Sequence, residues 1–187
     1  NLLTFNEADV VKRMGLLRQA LSAFEAAGYV ERQGVVTHNL ALVYNDLGLA
    51  RRARRLLLQA ADIYRRTGAI GSLSVTLWVL SELVAEAGEL RASRAYVDEA
   101  IALAETVRDV QSAAYRPLGY GRLALAEKDY ALAIAKLAEA SDILSGHDAD
   151  ALQVSALTLL TRAHLGAGDA AGALAATERA TAIHRAR

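Results

Sequence analysis

The stretch Leu40-Ala41-Leu42-Val43-Tyr44-Asn45-Asp46-Leu47-Gly48 returns in altered form three more times along the chain. Leu40, Ala41, Tyr44 and Leu47 recur at three- and four-residue steps, the spacing that sets side chains on one face of a helix. Gly48 interrupts the period. Ala53, Leu56, Leu57, Ala60, Ala61 and Tyr64 then resume it, so a turn and a second helix follow. The turn positions Gly48, Gly88, Lys128 and Gly168 stand at three successive intervals of 40 residues. A fixed long period marks a repeat architecture.

The side chains around each turn match in size. Seven residues before it stands Ala41, Ser81, Gly121 or Thr161; five after it, Ala53, Ser93, Ala133 or Ala173; twelve after it, Ala60, Ala100, Ala140 or Ala180. Small groups there let two helices approach closely. Leu40, Leu80, Tyr120 and Leu160, eight before the turn, fill the space between them, as do Leu57, Val97 and Leu137, nine after it. In the last copy Thr177 takes that second place, so its second helix is expected to pack less tightly. A partial first copy is expected around a turn at Gly15, with Ala8, Ala20, Phe24 and Ala27 at the same offsets, although it lies 33 residues before Gly48. Strand-like alternation is sustained nowhere, and Pro117 is the only proline. The expected fold is all-α: about ten helices in repeats at approximately 1–28 (partial), 29–67, 68–107, 108–147 and 148–187.

The pattern resembles the tetratricopeptide repeat (TPR) family: Leu-small-x-x-aromatic in the first helix, as in Leu40 to Tyr44, a turn glycine, then small-x-x-x-large in the second. The resemblance implies a right-handed superhelical solenoid of antiparallel helix pairs. Two features depart from it. The family's tryptophan near the start of the first helix is replaced by Thr37, Leu77, Pro117 and Leu157, and its proline at the end of the second helix is missing. The period also exceeds the family's usual 34, implying helices of roughly 16–18 residues, about 25 Å long. Long repeats of this kind are similar to those in the sensor arms of bacterial MalT-like and other large transcriptional activators and of multidomain signalling ATPases.

Composition narrows the function. Hydrophobic residues make up 53% of 187, ample for a continuous core. Lys plus Arg and Asp plus Glu both number 21, which removes the field that nucleic-acid and anionic-membrane binders carry, so neither partner is expected. No apolar segment is long enough to span a bilayer. With no cysteine there is no disulfide framework and no sulfur-ligated zinc, and a reducing cytoplasm is the expected setting. The chain starts at Asn1 without an initiator methionine and stops at Arg187 within a helical pattern, as expected of a domain cut from a longer protein.

No enzyme chemistry is expected, and no cofactor or metal. His38, His147, His164 and His184 lie far apart, and none forms the i, i+4 pair of a helical zinc hydrolase. His147, Asp148 and Asp150 fall where one repeat passes to the next, so a solvated turn with Asp148 capping the following helix is expected. No phosphate-binding loop or nucleophile elbow occurs. The run Arg51, Arg52, Arg54 and Arg55 flanks Ala53 near the start of a second helix. It is expected to point outward as a solvated face balanced by Asp62 and other acids nearby, with docking of phosphate or an acidic partner as the alternative. Pro117 is expected to start or kink its helix.

By the resemblance, residues three, six, ten and thirteen before each turn face a concave groove lined by first helices. These are Asn45, Leu42, His38 and Val35; Ala85, Glu82, Trp78 and Val75; Leu125, Arg122, Leu118 and Tyr115; and Leu165, Arg162, Thr158 and Ser155. Trp78 is either an aromatic anchor for a ligand or packing between repeats. Arg122 and Arg162 share one offset and can form an anion-binding row, the alternative being an ion pair of Arg122 with Glu82. Only Asn39 and Asn45 match the carboxylate clamp of chaperone-binding relatives, so a chaperone C-terminus is not the expected ligand. The expected function is a non-catalytic scaffold binding a peptide, a protein segment or another domain of the same protein. The alternative is an arm that senses a small-molecule effector for a bacterial transcriptional regulator or signalling ATPase. Leu159, Leu160, Leu174 and Ile183 are expected in or beside a terminal packing surface through which a homodimer can form, some of them serving the internal core.

Overall fold

The computed structural model describes residues 7–106, 110–147 and 149–185. Those residues form nine helices and no strand: α1 (Glu7–Ala26), α2 (Val30–Asp46), α3 (Ala50–Thr67), α4 (Ile70–Glu86), α5 (Leu90–Ala104), α6 (Val110–Ala126), α7 (Tyr130–Leu144), α8 (Asp150–Gly166) and α9 (Ala170–Arg185). They belong to two compact units, Asn1–Leu83 and Val84–Arg187.

One turn design joins each helix pair. Gly48, Gly88, Lys128 and Gly168 have φ of 72°, 80°, 63° and 78°, the left-handed region. In each, the following N–H donates to the carbonyl five residues back: Leu49 to Tyr44 and Asp129 to Ala124 at 2.8 Å, Glu89 to Val84 and Asp169 to His164 at 2.9 Å. This 6→1 bond closes the helix end and needs a residue that tolerates φ > 0, which is why three of the four are glycine. The same conformation recurs between pairs, at Gly28, Gly68 and Gly146.

In the first unit α2 packs on α3 through Leu40, Ala41, Ala53, Leu57, Ala60, Ala61 and Tyr64, all almost fully buried. The second unit has its core where α6, α7, α8 and α9 meet, around Leu118, Leu137, Leu157, Leu160 and the alanines 133, 140, 156 and 163. Gly121 is required there: a Cβ would lie 2.7 Å from Cγ of Leu137. Leu57, Val97 and Leu137 are buried, whereas Thr177 at the same offset is exposed and donates its hydroxyl to the carbonyl of Ala173 (2.8 Å). The last second helix is therefore less firmly seated than the others.

One expectation needs correction. Gly15 is no turn: it lies in the middle of α1, so the described helices number nine rather than about ten. An isolated glycine costs a helix only about 1 kcal/mol relative to alanine, so its presence alone does not end one. Counting 40 back from Gly48 gives residue 8, and Leu17 and Ala20 then stand at the second-helix offsets, with exposed Arg13 where the other copies have a small buried residue. Pro117 lies inside α6, which begins at Val110, so of the two expected outcomes it does not start the helix. Leu159 and Leu160 are those of their group that serve the core of the second unit; Ile183 packs against it half-buried, and Leu174, 60% exposed, is the surface residue. Asp148 lies outside the described residues.

Candidate functional site

In the first unit the relevant face of α2 carries Val35, His38 and Leu42, all half-buried, and exposed Asn45. Nδ1 of His38 lies 2.9 Å from Oγ1 of Thr76, whose hydroxyl donates to the carbonyl of Ser72 (2.8 Å). Thr76 has one proton and has committed it, so Nδ1 of His38 must donate and Nε2 is left as the acceptor. Burial pulls the imidazole below its ordinary pKa, which favours this neutral form. On α4, Val75 and Glu82 are exposed, but Trp78 retains only 6% of its surface. With so little ring surface exposed, Trp78 fits the packing alternative.

In the second unit α6 and α8 touch directly, and their faces supply most of the remaining candidates. Tyr115 and Arg122 on α6 are half-buried, as is Ser155 on α8; Thr158 and Arg162 are exposed. Leu118 is 1% exposed and Leu125 packs against the core, so both are structural. Nη2 of Arg122 donates to Oγ of Ser155 at 3.1 Å. Burial, with a further contribution from the positive charge of Arg162, lowers the Arg122 pKa to about 10. Two guanidiniums of successive repeats therefore sense one another on this face.

Arg51, Arg52 and Arg55 are exposed and Arg54 half-buried, flanking fully buried Ala53 as the register requires. Asp62 pairs with Arg66 (3.2 Å). Tyr44 joins this region instead: its hydroxyl accepts from Nη2 of Arg18 (2.9 Å), and the Arg52 guanidinium lies 5.8 Å from its ring centre. His147 is exposed in the turn after α7, and among the described residues no three His, Cys, Asp or Glu side chains gather to hold a metal. Sequence reasoning missed the Thr76 partner of His38, the Ser155 partner of Arg122 and the role of Tyr44. It also passed over a readable signal: Asp129 and Asp169, one period apart, each open a second helix. Their carboxylates accept from N–H of Leu132 (3.1 Å) and Gly172 (2.9 Å) respectively.

Antiparallel helix pairs at a 40-residue period, closed by a shared left-handed turn, define a TPR-like repeat fold. Solved structures agree. The chain is similar to BtubC (BKLC) from P. vanneervenii at 20% identity and a TM-score of 0.66, covering 96% of this chain and 77% of that one. It is similar to the nearly identical TPR-like repeats of a protein described as a kinesin light chain from Podosopora anserina, at 18% identity and a TM-score of 0.62, covering 95% and 88%. It is similar also to a Rap protein complexed with Competence and Sporulation Factor, at 16% identity and a TM-score of 0.79, covering 96% of this chain and 50% of that one. No family model and no curated protein matches the sequence. At these identities the likeness is one of fold. Among the described residues no helix is long and apolar enough to cross a membrane.

Proposed function

We propose that the chain is a non-catalytic protein-interaction scaffold whose α6–α8 face takes an acidic segment of a partner protein. The observation that supports this most is the state of Arg122. Its guanidinium is held by Ser155, depressed by burial and repelled by Arg162. The displacement to about 10 corresponds to destabilisation of the charged form on the order of 3 kcal/mol. A carboxylate bound beside the two arginines offsets part of that, while Ser155 fixes one edge of the Arg122 fork. Tyr115, two turns from Arg122 on α6, and Thr158, one turn from Arg162 on α8, flank the same face. The similar Rap protein was solved complexed with Competence and Sporulation Factor, so this fold accommodates a bound partner.

Peptide display tests the reading. Selection on the wild-type chain is expected to enrich segments carrying Asp and Glu, and selection on Arg122→Gln/Arg162→Gln to lose that enrichment. Equal enrichment on both proteins overturns the assignment of the face.

A second reading, sensing of a small effector, draws on a cleft of about 390 Å3 in the second unit. Ser145, Asp150, Gln153, Arg179 and Ile183 line it, and the volume falls in the range of small-molecule sites. Gln153 donates to the carbonyl of Ser141 (3.2 Å), and Arg179 is oriented by Asp142 (3.1 Å). In this reading ligand binding reports to an attached effector module, as in a transcriptional regulator or signalling ATPase. A rise in melting temperature with low-molecular-weight metabolites, abolished by Ile183→Trp, supports it; no rise with any of them removes it.

A further inference from the structure

The arginine run of α3 plays no part in the α6–α8 reading, and Tyr44 gives it an organised centre. We propose that Arg18, Tyr44, Arg52 and Arg55, where α1, α2 and α3 meet, form a separate docking site for a carboxylate-bearing protein segment.

The donors converge. The Tyr44 hydroxyl accepts from Arg18, so its own O–H remains to donate, and Arg52 is ordered against the ring of the same tyrosine. Arg55 lies one turn along α3 from Arg52, and all three arginines are exposed. A guanidinium at the phenol oxygen and another against the ring bring two planar forks and a hydroxyl to one place, the donor set that suits an oxyanion.

Like charges are crowded along this part of α3. Arg51 and Arg55 stand four residues apart on one helix face, where like charges repel. The acid farther along α3, Asp62, is engaged by Arg66. The zero net charge of the chain hides an asymmetry: ten Lys and Arg stand against seven Asp and Glu in Asn1–Leu83, and eleven against fourteen in Val84–Arg187. The basic excess is thus concentrated in the unit that holds this cluster.

Carboxylate is favoured over nucleic acid because single strands bind by stacking bases on aromatic faces. Here Arg52 lies over the ring of Tyr44, and the tyrosine of α3, Tyr64, is 2% exposed. The local positive surface is also short for tracking a phosphate backbone.

The test uses the Arg122→Gln/Arg162→Gln chain, so that failure of the α6–α8 reading and failure of this one are distinguishable. Hexaglutamate is titrated at low ionic strength and followed by amide chemical shifts. Shifts are expected at Tyr44 and along 50–56, with affinity falling about tenfold in Arg18→Gln/Arg52→Gln and less in Tyr44→Phe, which keeps the ring. Added salt is expected to weaken the binding. Circular dichroism checks that the variants remain helical, and Tyr44→Phe supplies the answer if the double variant does not. No shift in 50–56, or affinity unchanged in both variants, overturns the proposal. Tighter binding of inorganic phosphate or of a single-stranded oligonucleotide than of hexaglutamate overturns the assignment of the occupant.

Discussion

At the residue that opens the second helix of its repeat, α3 has Leu49 and α9 has Asp169. Leu49 makes no side-chain cap, and the first turns of α3 carry Arg51, Arg52, Arg54 and Arg55 at the positive end of the helix dipole, where cations are disfavoured. Asp169 does the reverse. Oδ1 accepts from N–H of Gly172 (2.9 Å), and Oδ2 lies 2.8 Å from Nδ1 of His164. Burial runs the other way: α3 buries Ala53, Leu57, Ala60, Ala61, Ile63 and Tyr64, whereas α9 buries only Ala173 and Ala176. A helix held by its core can therefore carry charges that oppose it locally, while a helix with little core depends on its own end.

The largest effect expected from this contrast is at one shared offset. Leu57→Ala should cost about 2–5 kcal/mol in denaturant unfolding, because a fully buried side chain leaves a cavity. Thr177→Ala, exposed at the equivalent place, should stay within about 0.5 kcal/mol. Similar losses at both would mean that α9 is seated as firmly as α3. Next come the helix openings: Asp129→Ala should destabilise by about 1 kcal/mol, and Leu49→Asp should stabilise by a comparable amount by capping α3 and answering its dipole. Smaller again is Lys128→Gly. Lys128 is the one non-glycine with positive φ among the described residues, so its replacement should gain about 0.5–1 kcal/mol, whereas Gly48→Ala should lose stability at the equivalent turn.

The smallest contrast is with pH. Both His38, lowered by burial, and Asp169, lowered by the Gly172 N–H and then by His164, have folded pKa values below their unfolded ones. In each case the unfolded chain takes up the proton first, so stability is lost as pH falls. The His38 window opens below the ordinary histidine value near ~6.5, and that of Asp169 only below the ordinary carboxylate value near ~4. Melting temperature should thus decline in two steps on acidification, and His38→Gln should flatten the upper one. A variant that keeps the upper step would assign it to another group.

What was legible in the sequence was whatever repeats. Gly48, Gly88, Lys128 and Gly168 announced the turns through their spacing, and even Lys128, an unlikely turn residue on its own, was placed by its neighbours in register. The small positions Ala41, Ser81 and Gly121 were readable for the same reason, and all three are buried. Gly15 misled because composition does not distinguish a glycine tolerated inside a helix from one that must adopt positive φ. A helical offset gives direction without depth, so it left Trp78, 6% exposed, as either anchor or packing. The contacts of the candidate sites, His38 with Thr76, Arg122 with Ser155 and Arg18 with Tyr44, join residues 38, 33 and 26 apart. Each occurs once, so no period reveals it.

The interaction role of the α6–α8 face is tested most directly by hydrogen exchange on the chain with and without an acidic peptide recovered from the display selection. New protection is predicted within 113–126 and 150–166, and Arg162→Glu should abolish it while leaving the exchange of α2 and α3 unchanged. Protection confined to α7 and α9, or protection of 150–166 that survives Arg162→Glu, would contradict the account.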